Sequence, residues 1–239
     1  MKQLCATILV IAAFGVFPSA QPRADPEIRL VLLIAVDQFR YDYLTRFRSE
    51  YAGGIKRLLT DGAVFTNANL EHYPTVTAVG HATMLTGATP SDSGIIGNDW
   101  FDRETGVTVQ SVSDPAVKPV GAASGSAASP RRLLVSTLGD ELKLAAGARK
   151  GDPRAPRVFG ISLKDRSAIL PVGRGADAAY WWDTRTGTFV SSTYYAPEAA
   201  AWVQAFNAQK PADRHAGESW TTISMPSTAL LRLQELIVA

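Results

Sequence analysis

A chain of 239 residues with 46% hydrophobic and 19% charged side chains can bury a domain-sized core, and this is not the composition of a disordered polypeptide. Its 24 basic and 22 acidic residues leave a formal net charge of +2 with no interleaving of aromatic and basic residues, which argues against nucleic acid and anionic membrane surfaces as partners. The single cysteine, Cys5, excludes a disulfide framework.

The amino terminus has the pattern of an export signal. Lys2 precedes an apolar run over residues 4–17, followed by Pro18-Ser19-Ala20. The run is too short for a comfortable membrane span. Residues 1–20 are therefore expected to be a signal peptide cut near Ala20. That predicts a periplasmic or secreted protein with no stable membrane span and no thiol after cleavage.

Residues 28–36 form a nearly unbroken apolar run, as in a strand buried on both faces of a parallel sheet. The run stops at Asp37. In open α/β sheets ligands bind at the carboxyl ends of strands, so Asp37 is a candidate metal ligand; it equally suits the N-cap of a helix over residues 38–47. Residues 53–59 read as a short amphipathic segment turning at Asp61-Gly62, and residues 63–69 as a short strand. In Tyr73-Pro74-Thr75-Val76-Thr77, proline disfavours helix before it, and a helix from Thr77 should stop at Gly87. Thr77 is then either an N-cap or a hydroxyl nucleophile seated where the helix dipole favours negative charge. Asn98, after Gly97, is either a turn residue or an amide donor to a phosphate oxygen.

Further along, residues 100–110 predict a hairpin around Glu104-Thr105-Gly106, and residues 121–129 a flexible surface loop. Thr137-Leu138-Gly139-Asp140 predicts a capping box on a helix ending at Gly147. Residues 157–163 predict a second buried strand, delivering Lys164-Asp165-Arg166 at its carboxyl end. These cations suit either a phosphate or a solvated turn. Residues 178–183 and 189–192 read as paired strands around Thr186-Gly187, and Pro197 as the first turn of a helix through Phe206. Residues 227–239 are amphipathic. Alternating strands and helices predict an α/β fold with a largely parallel central sheet flanked by helices.

Five segments in order resemble the alkaline phosphatase superfamily, and within it the bacterial phosphate-irrepressible alkaline phosphatases. They are Val36-Asp37-Gln38-Phe39-Arg40-Tyr41-Asp42-Tyr43, Pro74-Thr75-Val76-Thr77-Ala78-Val79-Gly80-His81, Gly94-Ile95-Ile96-Gly97-Asn98, Ser162-Leu163-Lys164-Asp165-Arg166 and Ala176-Asp177-Ala178-Ala179-Tyr180-Trp181-Trp182. The resemblance implies a zinc-dependent hydrolase of phosphate monoesters in which Thr77 is the nucleophile and becomes a phosphothreonine. It implies that Asp37 and Thr77 ligate one of two zinc ions, and that Asn98, Lys164 and Arg166 hold phosphate oxygens. The Lys164–Arg166 pair implies a preference for monoesters over diesters.

The family's other zinc ligands find no counterpart, because His72, His81 and His215 match no metal-ligand motif. Residues 28–239 are accordingly expected to be a truncated alkaline phosphatase-like domain that does not fully bind zinc. Two other readings stay open: an inactive remnant that binds phosphate weakly at most, and a nucleotide pyrophosphatase/phosphodiesterase. The latter shares the threonine and the asparagine, and the Lys164–Arg166 pair argues against it.

Overall fold

A computed structural model of the protein describes residues 28–122, 127–147 and 155–219, so the predicted signal segment and residues 227–239 lie outside the described residues. The chain divides into two units, Met1–Ala35 and Val36–Ala239. In the first, residues 28–35 carry neither helix nor strand and are exposed, with Ile28 at 80%. This corrects the expectation of a buried strand over residues 28–36. An apolar run encodes a preference for burial, but a strand also needs a neighbour to take its N–H and C=O groups. Among the described residues none of the ladders includes this run.

The second unit opens on a turn at Asp37 and Gln38, closed by the Phe39 amide donating to the Val36 carbonyl at 3.3 Å. Helix α1 (Tyr43–Arg46), a 3-10 turn (Arg48–Glu50) and helix α2 (Gly54–Asp61) follow. The helix expected over 38–47 thus shrinks to one turn. Residues 63–69 are exposed and form no strand, contrary to the sequence reading. There the Asn69 amide donates to the Asn67 side chain at 2.8 Å, a local bond that competes with ladder formation.

Helix α3 (Thr77–Thr86) ends as expected at Gly87, whose φ of 65° is left-handed. Helix α4 (Pro90–Ser93) leads to the predicted hairpin, β1 (Asp99–Asp102) against β2 (Val107–Gln110), and then to β3 (Pro119–Val120). The predicted surface loop over residues 121–129 is corrected at its far end. Ala128 and Ser129 are buried, and the Ser129 hydroxyl donates to Asp114 at 2.6 Å.

Helix α5 (Leu138–Ala145) carries the predicted capping box in full, with the Thr137 and Asp140 side chains each accepting the other's backbone N–H. The remaining elements are β4 (Phe159–Ser162), α6 (Asp165–Ile169), β5 (Ala178–Asp183), β6 (Thr188–Ser192) and α7 (Ala201–Ala208). Helix α7 starts at Ala201, four residues beyond Pro197.

The α/β class with helices flanking the sheet holds, and the sheet proves to be mixed. Its order is β3-β6-β5-β4, with β4 and β5 parallel and the other pairs antiparallel. Residues 184–187 are too short a link for a parallel crossover, so β6 turns straight back on β5. One face packs against α3 and α6 through Ala78, Ala82, Ala168, Ile169, Ala179 and Trp181. The other meets α7, with Val203 against Ala178 and Tyr180. At Gly160 a Cβ would overlap the Ala168 carbonyl oxygen, so glycine sets how closely α6 lies on β4. Strand β4, expected to be buried on both faces, is buried on one only. It is an edge strand, and the helix over its neighbour does not extend across Phe159 and Ile161, which are 49% and 57% exposed.

Asp114 ties the 111–132 region together. Burial pushes its carboxyl upward, but hydrogen bonds from Ser129 and the Ala116 amide and the Arg131 guanidinium outweigh that and hold it below the usual carboxylate range. A carboxyl depressed on folding adds stability that is complete above the unfolded value of about 3.9 and disappears as pH falls through the lower folded value. Asp114→Asn is therefore expected to lower the urea midpoint near pH 7 and to converge with the parent chain in strong acid. Urea titrations across pH 2–7 check this.

Candidate active site

The residue before α3 is Val76, which adopts the extended N-cap conformation (φ −82°, ψ 163°), so Thr77 is the first helical residue. No side chain caps this helix in the ordinary way. The Thr77 hydroxyl instead donates to Asp37 Oδ2 at 3.0 Å, across 40 residues of sequence. The capping role left open for Thr77 is thereby excluded. Asp37 is no N-cap either, because α1 begins six residues later and Asp37 lies in the turn before it. Gln38 in that turn has φ 61°, an uncommon conformation for a side chain of its size and one that concentrates at functional sites.

Asn98 is the third member. Its Oδ1 accepts the Ala78 backbone N–H at 2.9 Å, satisfying one of the orphan donors of the first turn of α3. With the oxygen engaged by an N–H, the remaining polar atom is the Nδ2 donor. The Asn98 carbonyl accepts from the Ser111 amide at 2.9 Å, so the base of the β1–β2 hairpin holds the residue in place. Thr77, Asp37 and Asn98 therefore converge on the start of one helix.

Lys164 and Arg166 come from the start of α6. Lys164 has extended backbone (φ −120°, ψ 142°) and is exposed. The Arg166 side chain is 26% exposed; its Nη1 lies 3.8 Å from Asp165, and its Nε is buried without a hydrogen-bond partner. Helices α6 and α3 share a core through Ala168, Ile169, Ala78 and Ala82. Among the described residues no hydrogen bond or ion pair joins either cation to Thr77, Asp37 or Asn98. An orphaned guanidinium donor is costly unless a ligand or water takes it.

His81, which the sequence matched to no metal-ligand motif, proves to be a neighbour of the site. His81 is buried, and its Nδ1 lies 2.8 Å from the Thr77 carbonyl oxygen. A carbonyl only accepts, so Nδ1 carries the proton. The i, i+4 spacing from Thr77 was the available signal. His215 is exposed beside Glu218.

Asp37 Oδ2 and Thr77 Oγ1 are spaced much as two ligands of one tetrahedral zinc would be, about 3.3 Å for bonds near 2.0 Å. Catalytic zinc, however, takes three protein ligands. Among the described residues no group of three or more His, Cys, Asp or Glu could hold a metal ion. The described residues thus do not complete a zinc site.

Residues 31–236 match the family model described as type I phosphodiesterase / nucleotide pyrophosphatase. The chain belongs to this family. It is 42% identical over 234 residues to alkaline phosphatase PhoV of Synechococcus elongatus, covering 93% of this chain and 42% of that protein. To alkaline phosphatase PafA of Elizabethkingia meningoseptica it is 41% identical over 217 residues, covering 90% and 39%. Wild-type PafA superposes with a TM-score of 0.73 at 44% identity, over 79% of this chain and 36% of that one. A second PafA crystal structure, of a variant changed at a threonine, an asparagine, a lysine and an arginine, also gives 0.73. This member of the type I phosphodiesterase / nucleotide pyrophosphatase family spans about two fifths of the length of the curated relatives it matches. Its alkaline phosphatase-like fold is consistent with the recognition made from the five segments.

Proposed function

We propose that this chain carries the nucleophile and phosphate-binding portion of a phosphate monoester hydrolase, with Thr77 forming a phosphothreonine. The observation that carries the reading is the Thr77–Asp37 hydrogen bond at the start of α3. A threonine there for helix stability alone would turn its oxygen to the helix amides. This one offers its proton to a carboxyl oxygen and its lone pairs to a ligand at the positive end of a helix of ten residues.

In the proposed reaction Asp37 orients the Thr77 hydroxyl and accepts its proton. The Thr77 oxygen bonds to phosphorus as the bond to the ester oxygen breaks, and the departing alcohol takes a proton from solvent. Water then attacks the phosphorus as its bond to Thr77 Oγ1 breaks, orthophosphate leaves, the water's proton passes to solvent, and Thr77 Oγ1 takes its proton back from Asp37. Asn98 Nδ2, Lys164 and Arg166 take the peripheral oxygens, where neutralising charge and fixing position do most of the catalytic work.

Two zinc ions, with Asp37 and Thr77 on one of them, belong to the implied family chemistry. The described residues supply too few ligands, so the chain by itself, given zinc and an aryl phosphate, is expected to show no Thr77-dependent turnover. Export through the amino-terminal segment to a periplasmic or secreted location is part of the same proposal. No helix among the described residues is long and apolar enough to cross a membrane.

The test grafts residues 31–236 in place of the matching segment of PafA and assays aryl phosphate hydrolysis. The phosphodiesterase wording of the family model favours a second reading, diester hydrolysis. The cationic pair discriminates between them. A monoester dianion carries one more negative charge than a diester, so Lys164→Ala and Arg166→Ala are each expected to cut monoester kcat/KM on the order of 10²-fold and diester turnover far less. Equal losses on both substrates, or a graft that prefers diesters before mutation, would overturn the monoester assignment.

A further inference from the structure

The peptide unit that joins Thr77 to Ala78 is gripped at both of its polar ends. Its carbonyl oxygen, on Thr77, accepts from His81 Nδ1 at 2.8 Å. Its N–H, on Ala78, donates to Asn98 Oδ1 at 2.9 Å. The two side chains reach it from different places. His81 comes from one turn further along α3, and Asn98 from the base of the β1–β2 hairpin, where its own carbonyl accepts from the Ser111 amide. Ala78 and His81 are both buried, so water does not compete for either end of the peptide.

Helix α3 does not need the bond from His81. In an α-helix the Thr77 carbonyl already faces the amide of the residue four further on, so the imidazole is a second donor to an oxygen with two lone pairs. What it adds is restraint. Helix ends fray, and Thr77 is the first helical residue. A planar peptide can turn only about ψ of the residue before it and φ of the residue after it. Holding the oxygen and the N–H from two separate elements stops that turning. Threonine, branched at Cβ, is stiff at χ1, so a fixed backbone narrows the direction of its hydroxyl to where Asp37 Oδ2 receives it at 3.0 Å. We infer that His81 is a positioning residue: with Asn98 it clamps the Thr77–Ala78 peptide and so holds Thr77 Oγ1 aimed at the phosphorus. The inference rests on the reading of Thr77 as the nucleophile. His81 acts through the backbone of Thr77, not through its reacting oxygen.

The first measurement uses the full chain and needs no catalysis. Nitrogen–proton correlation NMR of the imidazoles is expected to show His81 protonated at Nδ1. Hydrogen exchange then compares the parent with His81→Leu. Exchange of the Ala78 amide should quicken at least about tenfold, while amides of β5 keep their protection, as for a local opening. In the PafA graft, His81→Leu is expected to lower kcat about tenfold, by the same factor for an aryl phosphate and for a diester, because a misaimed nucleophile is slow on both. Inhibition by orthophosphate should stay nearly unchanged, since Lys164 and Arg166 are untouched. His81→Asn should recover most of the rate, because asparagine Nδ2 stands as many bonds from Cβ as the ring Nδ1 and can donate to the same carbonyl. A ring protonated at Nε2 alone, an Ala78 amide indifferent to His81→Leu, or a loss that asparagine does not recover would overturn the inference. The NMR result stands whether or not His81→Leu folds. A parent graft that traps no phosphothreonine removes the nucleophile reading and the positioning role with it, whereas trapping at the parent rate in His81→Leu removes the positioning role alone.

Discussion

Thr77→Ala in the PafA graft is expected to reduce aryl phosphate turnover by on the order of 10⁴-fold or more, the scale for removing a nucleophile that works as a unit with its neighbours. Thr77→Ser should retain most of the activity, because the oxygen stays within reach of Asp37 and only a methyl group is lost. The covalent step gives a second measurement. Phosphate trapped on the protein by acid quench should map to Thr77 in the parent and be absent from the alanine variant. Since the Thr77 hydroxyl does not cap α3, the substitution should change stability by less than the roughly 1 kcal/mol typical of losing a threonine cap. An alanine variant that keeps turnover, or that fails only because it unfolds, would sink the nucleophile assignment.

The second large effect is structural. Gly160→Ala is expected to destabilise the chain by about 3 kcal/mol, at the upper end for overpacking, because the new methyl would meet backbone and not a side chain that can rotate away. Its nearest neighbours are the Ala168 carbonyl group and, at 3.1 Å, Val172 Cγ1. The strand cannot yield without breaking its ladder to β5, so α6 must lift, carrying Lys164 and Arg166 with it. Urea denaturation measures the loss. Phosphate affinity of the graft should fall along with it. Gly80→Ala is the contrast: a Cβ there meets nothing within 4 Å, and alanine in a helix interior is favoured over glycine by up to about 1 kcal/mol. A Gly160 variant as stable as the parent would mean that α6 is not seated on β4 as described.

Elements marked by short-range chemistry were legible in the sequence. The stop of α3 at Gly87, the hairpin turning at Gly106 and the Thr137–Asp140 capping box each depend on residues within a few positions of one another. The misreadings share a different cause. Residues 28–36 and 63–69 have strand-like composition, and β4 has the apolar run of a buried strand. Whether such segments pair, and on how many faces they are covered, depends on neighbours that the run itself does not name.

The site divides in the same way. Local pattern brought forward Asp37, Thr77, Asn98, Lys164 and Arg166 one by one, each beside an ordinary alternative as a cap, turn or solvated charge. Only a hydrogen bond spanning 40 residues and an amide contact spanning 20 showed that the first three meet, and that the capping roles of Asp37 and Thr77 lapse once Thr77 faces Asp37. His81 came into view only when its ring nitrogen was seen against the Thr77 carbonyl. By itself the sequence determined the α/β class, the helix that seats Thr77 and the residue types able to handle a phosphoryl group, since these follow from periodicity, breakers and side-chain chemistry. The tertiary structure alone decided which of those side chains meet, how the strands pair and which strand face stays open, because each of these depends on contacts between segments far apart along the chain.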